Sequence, residues 1–235
     1  MAKEAERQSS EIETRNGLLV QIADRIVAIQ KPHPTRVGID GSVNSGKTTL
    51  ADLLVPLIAG LGRPVIRASI DYFNKPRTEK FSKGRESSDG FYEDQIDFAI
   101  LYEKLLDPLG PNGNRRYRAA HRDWETDSII DAPEVIAPDD AVVLFDGVFL
   151  LRPELRNRWD MLIYVNIDFD TAIQRALTRD VSYLGAEEQI RNMYEARYHP
   201  ALRWYRETFQ PLDHADIVVD NNDYAHPKLI FPHKR

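Results

Sequence analysis

The sequence contains no cysteine, which excludes disulfide bonds, thiolate metal ligands and cysteine nucleophiles. It also lacks any uninterrupted apolar run of the length that a membrane span requires. Residues 1–15 are polar and have no apolar signal core. We therefore expect a cytoplasmic protein that does not associate with a membrane.

The sequence also has no excess of positive charge. The formal net charge is −6 at pH 7, so we expect no general affinity for nucleic acid, which requires clustered Lys and Arg. Hydrophobic residues make up 42% of the chain, which is enough apolar material for a core. At 235 residues the sequence predicts one domain over residues 15–235, preceded by a flexible tail over residues 1–14. It leaves open whether the protein forms a homo-oligomer.

Short apolar runs alternate with helical stretches along most of the chain. Such alternation predicts an α/β fold in which helices cover both faces of a mostly parallel sheet. The predicted strands are RVGID, RPVIRASID, VVLFDG, MLIYVNID and ADIVVD. We therefore expect a three-layer sandwich around a five-stranded sheet.

Two intervals break this alternation. Residues 72–131 are rich in charge, aromatics, Gly and Pro, and residues 172–208 form a long charged helical stretch. Binding loops and lids commonly occupy such segments. We predict a substrate-binding insertion in the first interval and a helical lid in the second.

The strongest motif is a complete GxxxxGK[ST] pattern between the RVGID strand and the helix that follows it. Its glycines let the loop wrap closely around phosphate groups, while backbone N–H groups at the helix N-terminus point inward. In such a P-loop Lys47 neutralises the terminal phosphates and Thr48 ligates Mg²⁺. The predicted ATP-binding residues are Gly41, Ser42, Val43, Asn44, Ser45, Gly46, Lys47, Thr48 and Thr49.

Three aspartates lie at predicted strand ends, where ligands bind in open α/β sheets. Asp71 is a candidate base, because a carboxylate there could orient an acceptor hydroxyl and accept its proton. Asp146 is, together with Thr48, a candidate Mg²⁺ ligand. Either aspartate could instead cap a turn. Asp40, directly before the loop, could approach the metal or hydrogen-bond the loop backbone.

Four stretches follow one another in a specific order: GIDGSVNSGKTTLA, ASIDYFNKPR, VVLFDGVFLL, and a block that runs from TAIQRALTRD through RYHPALRWY to ADIVVDNND. In this order they resemble the uridine kinase group of P-loop kinases, which includes phosphoribulokinase and pantothenate kinase. The resemblance extends from about Arg36 to Pro227. It implies that Asp71 is the catalytic base and that the aromatic Tyr72 beside it lies near the acceptor.

The same resemblance implies further acceptor-binding residues. Phe91 and Asp94 match a segment that grips ribose hydroxyls, although such aspartates could equally cap a helix. Tyr117 and His121 resemble residues that contact a pyrimidine, but the spacing in YRAAHRDW departs from the family pattern. They could equally be ordinary loop residues, and the arginines around them could bind a substrate phosphate. Arg197 lies in RYHPALRWY. The resemblance groups it with the acceptor-binding residues, and its role among them stays open.

Arg175 and Arg179 are spaced i, i+4 in TAIQRALTRD, so a helix projects both from one face. A charged helical stretch is often only a solvated face. In the resembling kinases, however, this block is a lid that closes over ATP. The resemblance implies that the lid arginines stabilise charge on the transferring phosphoryl group, Arg179 before Arg175.

Taken together, these residues predict an ATP-dependent kinase with Lys47, Arg179 and Arg175 in catalysis and Mg²⁺ as cofactor. The expected acceptor is the 5′-hydroxyl of uridine or a related nucleoside. A sugar phosphate, a pantothenate-like molecule or a specialised metabolite is the alternative acceptor. A different class of protein is the second alternative: a nucleotide-dependent regulatory switch. Such a switch would not need a base such as Asp71, because it activates no alcohol.

Overall fold

The computed structural model describes residues 2–232, with side chains from Arg15 onward except that of Tyr183. A mixed sheet forms its centre and a short antiparallel pair lies apart from it. The strands are β1 (Thr35–Gly41), β2 (Val65–Ser69), β3 (Arg116–Tyr117), β4 (Val135–Ile136), β5 (Val142–Gly147), β6 (Met161–Asn166), β7 (Ile217–Asp220) and β8 (Lys228–Ile230).

The main sheet has the strand order β2-β5-β1-β6-β7-β8. Neighbouring strands are parallel except for β7 and β8, which are antiparallel. The predicted α/β fold with a mostly parallel sheet is therefore confirmed. The sheet has six strands where the sequence predicts five, because the three residues of β8 are too few to show a strand pattern.

The helices lie between the strands and around one end of the sheet. They are α1 (Ala2–Val27), α2 (Lys47–Gly60), α3 (Arg77–Lys80), α4 (Ser88–Glu93), α5 (Phe98–Leu101), α6 (Phe169–Arg179), α7 (Val181–Leu184), α8 (Glu187–Met193), α9 (His199–Phe209) and α10 (Pro211–His214). Two π-helical turns, Tyr102–Leu106 and Tyr194–Tyr198, continue α5 and α8. None of the helices in the described part of the chain has the length and apolar character needed to cross a bilayer.

The N-terminal helix begins earlier than expected. The sequence predicts a flexible tail over residues 1–14, whereas α1 continues back to Ala2. Polar residues before Arg15 include many good helix formers, so the loss of apolar spacing does not mark a helix end. The apolar positions further along, among them Leu18, Ile22 and Ile26, are buried against the sheet as their spacing predicts.

Alternate residues of the central strands fill two cores on opposite faces of the sheet. On one face Val142 and Leu144 pack with α1 and α2. On the other face Val143 and Phe145 pack with buried leucines from residues 101–109. Part of the predicted insertion over residues 72–131 therefore belongs to the core. The remainder of that insertion, and the helical region 172–208, surround one edge of the sheet; the division of the chain into insertion and lid stays a prediction.

His199 at the start of α9 gives this packing a pH dependence. Its ring lies 4.5 Å from that of Phe169, and burial, followed by the charge of Arg203, lowers its pKa from 6.5 to about 4. Above pH 6.5 the ring is neutral in both the folded and unfolded states. Below pH 6.5 the unfolded state binds the proton first, so stability falls as the pH drops towards 4.

We predict that His199→Gln reduces this acid sensitivity. Between pH 7 and pH 5 the unmodified protein should lose about 1–2 kcal/mol more unfolding free energy than the variant. Urea denaturation at both pH values measures the difference. His214→Gln, which replaces an exposed histidine in α10, is the matched control. An equal loss in His199→Gln and the unmodified protein would contradict the assignment.

Candidate active site

The carboxyl ends of the parallel strands meet at one edge of the sheet. In the register of β5 with its neighbours, Asp146 pairs with Ile39 of β1 on one side and with Ser69 of β2 on the other. Asp40 is the next residue of β1, and Asp71 lies in the helical turn Ile70–Phe73 that follows β2. Parallel pairing therefore brings the three predicted carboxylates to the edge where α/β proteins bind ligands.

The loop between β1 and α2 has the backbone conformation of a phosphate cradle. Gly46, directly before α2, has a φ of 95°, which side-chain-bearing residues rarely adopt. Gly41 passes so close to β6 that a Cβ atom would lie 2.4 Å from the carbonyl oxygen of Val165. Both glycines of the motif are thus required by the backbone, and α2 begins at Lys47 with its N-terminus towards the loop.

Lys47 is buried within this loop. Its ammonium group donates a hydrogen bond to the carbonyl oxygen of Ser42 at 2.6 Å. Burial lowers its pKa, while the charges of Asp146, Asp71 and Asp40 act in the opposite direction. The ammonium therefore lies within electrostatic reach of all three carboxylates at the sheet edge.

The predicted metal ligands Thr48 and Asp146 are in contact. The Thr48 hydroxyl donates to Oδ2 of Asp146 at 2.7 Å, and Arg67 forms an ion pair with Oδ1 of Asp146, also at 2.7 Å. Among the residues whose side chains are described, no three His, Cys, Asp or Glu side chains form a metal-binding group. A hydroxyl and a carboxylate suit Mg²⁺, which takes its other ligands from phosphate oxygens and water.

The environment of Asp40 differs from that of Asp146. It is fully buried, and it accepts hydrogen bonds from the backbone N–H of Gly41 at 2.7 Å and from the hydroxyl of Tyr205 in α9. Burial raises its pKa, which these two hydrogen bonds and the charge of Lys47 partly offset. Of the two roles left open by the sequence, the structure shows the hydrogen bond to the loop backbone.

The Asp71 carboxyl touches solvent, yet the surrounding protein displaces enough water to raise its pKa. The negative charge of Asp146 raises this pKa further, and the positive charges of Lys47, Lys80 and Arg179 lower it. A carboxylate with a raised pKa is a stronger proton acceptor than a free aspartate. The arrangement can therefore orient and deprotonate a hydroxyl next to the loop.

The two predicted lid arginines point to different partners. Arg179 is largely exposed, pairs with the adjacent Asp180 at 2.8 Å, and is near enough to influence the pKa values of Lys47 and Asp71. Arg175 instead donates to the backbone carbonyl oxygens of Asn44 and Asn221, at 3.3 and 2.5 Å. In this structure Arg175 contacts the loop backbone, whereas Arg179 acts on Lys47 and Asp71 through its charge.

A buried network connects the phosphate loop to the helical region. The amide of Asn44 donates to the carboxylate of Asp180 at 2.9 Å and to the hydroxyl of Tyr194 at 2.6 Å. That hydroxyl in turn donates to Asp180 at 3.0 Å. Sequence reasoning missed Asp180 and Tyr194, because more than 130 residues separate them from Asn44 and no local pattern indicates the contact.

The predicted acceptor residues do not all face one pocket. Phe91 is buried in an aromatic cluster with Phe149 and Tyr198, and Asp94 forms an ion pair with Lys83 at 3.2 Å. Tyr72 is partly buried against the core. Phe91 therefore shapes the site by packing, whereas Asp94 and Tyr72 keep partial access to solvent.

Tyr117 and His121 lie in the segment that follows the π-helical turn Tyr102–Leu106. Tyr117, in β3, is partly buried, and the backbone N–H of His121 donates to the carbonyl oxygen of Tyr72 at 3.1 Å. Burial, then the charge of Arg122, lowers the pKa of His121. Arg197 is 2% exposed and donates to the carbonyl oxygen of Ser87 at 2.9 Å, so it joins the helical region to the insertion.

A cleft also opens on the outer side of the phosphate loop. Its lining residues include Thr49, Leu53, Asn221 and Tyr224. The guanidinium of Arg15 from α1 lies 4.5 Å from the centre of the Tyr224 ring, at one side of this cleft. An apolar cleft beside a phosphate loop can hold the base of a nucleotide.

A phosphate loop at the carboxyl edge of a parallel sheet, with a basic residue in the loop and a carboxylate beside it, defines a P-loop phosphotransferase. The chain belongs to the phosphoribulokinase/uridine kinase family, whose model matches residues 37–224. Membership in this family implies the use of ATP and of an acceptor substrate.

Several curated relatives are similar to most of the chain. A uridine-cytidine kinase 2-B of Danio rerio is 28% identical over 197 residues, covering 79% of this chain and 72% of the relative. A uridine kinase of Staphylococcus aureus is 28% identical over 187 residues, with 79% and 86% covered. A uridine kinase of Schizosaccharomyces pombe is 26% identical over 198 residues, but the chain spans only 39% of that protein's length.

Solved structures agree with the fold. A possible uridine kinase from Bacillus stearothermophilus superposes with a TM-score of 0.66 at 27% identity, covering 86% of this chain and 97% of the other. A D-glycerate 3-kinase from Cryptococcus neoformans gives a TM-score of 0.53 at 17% identity, with 85% and 88% covered. At that identity the second likeness concerns the fold alone.

We predict that Tyr194→Phe weakens the contact between the loop and the helical region. The change removes a buried hydroxyl that bonds both Asn44 and Asp180, which should cost roughly 1–3 kcal/mol of stability. The Michaelis constant for ATP should rise, because the loop loses a support. Thermal unfolding and ATP titration measure the two effects. Tyr102→Phe, which removes a hydroxyl bonded to a surface carbonyl, is the control. Equal changes in stability and in the Michaelis constant for ATP in both variants would refute the role of the network.

Proposed function

We propose that the protein transfers the terminal phosphoryl group of ATP to a hydroxyl of a small molecule, with uridine or a related nucleoside as the first acceptor to test. The observation that carries the proposal is the position of Asp71 within electrostatic reach of the buried Lys47 in the phosphate loop. A nucleotide-dependent switch has no use for such a carboxylate, because it activates no alcohol.

The ATP phosphates would lie along the loop from Gly41 to Thr49, with Lys47 against the terminal phosphates. Thr48 and Asp146 fit a Mg²⁺ ion, which when bound would neutralise phosphate charge. The adenine would lie beside Thr49 and Tyr224, where an apolar cleft borders the loop.

In the reaction the acceptor oxygen attacks the terminal phosphorus atom and the bond to the ADP oxygen breaks. The hydroxyl proton passes to Asp71, whose pKa is raised by its surroundings and by Asp146. The side chain of Arg179 is largely exposed, and its positive charge would balance the charge on the transferring group. Arg175 would contribute by holding the carbonyl groups of the loop.

A nucleoside acceptor is supported by the names of the relatives and by Asp94, whose carboxylate can accept hydrogen bonds from ribose hydroxyls. Tyr72, Tyr117 and His121 are the residues that we propose to contact a base. The second candidate is a non-nucleoside acceptor that carries a negative charge. A cluster of positive side chains beside Asp71, described below, favours this second candidate.

We predict that Asp71→Asn lowers the turnover number by about 10²–10⁴-fold while ATP affinity changes little, because only proton acceptance and orientation are lost. Coupled ADP-release assays with uridine, cytidine, sugars, sugar phosphates and pantothenate measure turnover, and nucleotide titration measures affinity. In the unmodified protein the acid limb of the pH profile should lie above pH 3.8, the ordinary pKa of aspartate, because the pKa of Asp71 is raised.

Asp107→Asn serves as the matched control, since Asp107 is an exposed aspartate that pairs with Arg158 away from the loop. It should retain full activity and the same pH profile. Unchanged turnover in Asp71→Asn would reject the catalytic role of Asp71, and a purified protein without affinity for Mg²⁺-ATP would reject the proposed function altogether.

A further inference from the structure

Three positive side chains converge on one aromatic ring beside the candidate active site. The ring belongs to Phe81, directly after α3. The ammonium of Lys80 lies 5.2 Å from its centre, the guanidinium of Arg197 also 5.2 Å, and that of Arg85 5.5 Å. Lys80 and Arg85 come from the insertion, whereas Arg197 comes from the π-helical turn Tyr194–Tyr198. We name these three residues the cation cluster.

Among the side chains that the structure describes, the cluster has no carboxylate partner at ion-pair distance. Arg197 donates to two neutral oxygens, the carbonyl of Ser87 at 2.9 Å and the side chain of Gln95 at 3.1 Å. Among the residues with described side chains, neither Lys80 nor Arg85 forms an ion pair within 4 Å. The opposite charge that acts most strongly on Lys80 is Asp127, which lies beyond that distance.

Two members of the cluster are buried, so their positive charges are poorly solvated. Lys80 is 7% exposed and Arg197 is 2% exposed. Burial lowers the pKa of both. On Lys80 the charges of Asp127 and Asp71 act against this shift and those of Arg77 and Arg197 add to it, and on Arg197 the charge of Arg85 adds to it. Buried charges are normally paired, so a bound anion would remove a repulsion that the protein alone leaves in place.

The charges of the cluster act on the candidate base and on a tyrosine near it. The charge of Lys80 lowers the pKa of Asp71, and Asp71 and Arg85 both influence the pKa of Tyr198. A molecule whose hydroxyl lies against Asp71 therefore has the cation cluster within reach of its other end. A neutral nucleoside would leave these charges unmatched.

We propose that Lys80, Arg85 and Arg197 bind an anionic group, a phosphate or a carboxylate, on the acceptor whose hydroxyl is phosphorylated. This inference rests on the proposed kinase function and specifies its substrate class. Lys80 and Arg85 supply the donors to the anion, while the buried guanidinium of Arg197, held by Ser87 and Gln95, adds positive charge beside them. The acceptor is thus a hydroxylated organic anion.

The first test measures anion binding with the nucleotide site filled. The protein is saturated with Mg²⁺ and a non-hydrolysable ATP analogue, so that the phosphate loop is occupied, and is then titrated with inorganic phosphate or with acetate by calorimetry. The unmodified protein should bind at least one of these anions. Lys80→Met should weaken that binding roughly 10- to 100-fold, the effect of losing a hydrogen bond to a charged group. The two titrations show whether the site prefers phosphate or carboxylate.

Two further variants keep the test decisive. Arg85→Met changes an exposed side chain, so it leaves the packing intact and should still weaken anion binding severalfold. Lys31→Met, which removes an exposed ammonium near the opposite edge of the sheet, should bind the anions like the unmodified protein. Unchanged anion affinity in both Lys80→Met and Arg85→Met would overturn the proposal.

A kinetic comparison completes the test. ADP release is measured with glycerol, glycerol 3-phosphate and glycerate, and with uridine. The proposal expects the anionic acceptors to exceed the neutral ones in kcat/KM, and Lys80→Met to raise KM for the anion without raising KM for ATP. Efficient use of uridine that is insensitive to Lys80→Met would overturn the anion site and leave the kinase function standing. Absence of nucleotide binding would overturn both.

Discussion

The buried ammonium of Lys47 is the charge around which the site is built. Burial lowers the pKa of this ammonium, and the charges of the three carboxylates at the ends of β1, β2 and β5 act against that shift. Those carboxylates have separate tasks: Asp40 supports the loop backbone, Asp146 contacts Thr48, and Asp71 is open to solvent. An anion that binds in this site is therefore subject to the charges of both the Lys47 ammonium and the Asp71 carboxylate.

The second constraint is the connection between the phosphate loop and the helices that follow β6. Asn44 bonds Asp180 and Tyr194, Arg175 bonds the loop carbonyls, and Tyr205 bonds Asp40. These contacts couple the position of the helical region to the shape of the loop. The cation cluster extends the same coupling to residues 80–85, because Arg197 belongs to these helices while Lys80 follows β2 in the chain.

Local patterns in the sequence were sufficient for the parts of the site that are contiguous in the chain. The glycine spacing of the loop predicted its conformation, because Gly41 and Gly46 occupy positions that a side chain would not fit. The positions of Asp71 and Asp146 after apolar runs predicted their place at the sheet edge. The i, i+4 spacing of Arg175 and Arg179 predicted a shared helix, but not that one would bind the loop and the other remain exposed.

By itself, then, the sequence determined the α/β class, the phosphate loop and the carboxylates at the strand ends, since each depends on interactions between neighbours in the chain. Tertiary structure alone decided the short antiparallel β8, the burial of Phe91 and Arg197, the bonds of Asn44 with Asp180 and Tyr194, and the meeting of Lys80 with Arg197. These contacts join segments far apart in the chain. Their geometry follows from how the sheet and helices pack, and the local spacing of residues in the sequence does not predict this packing.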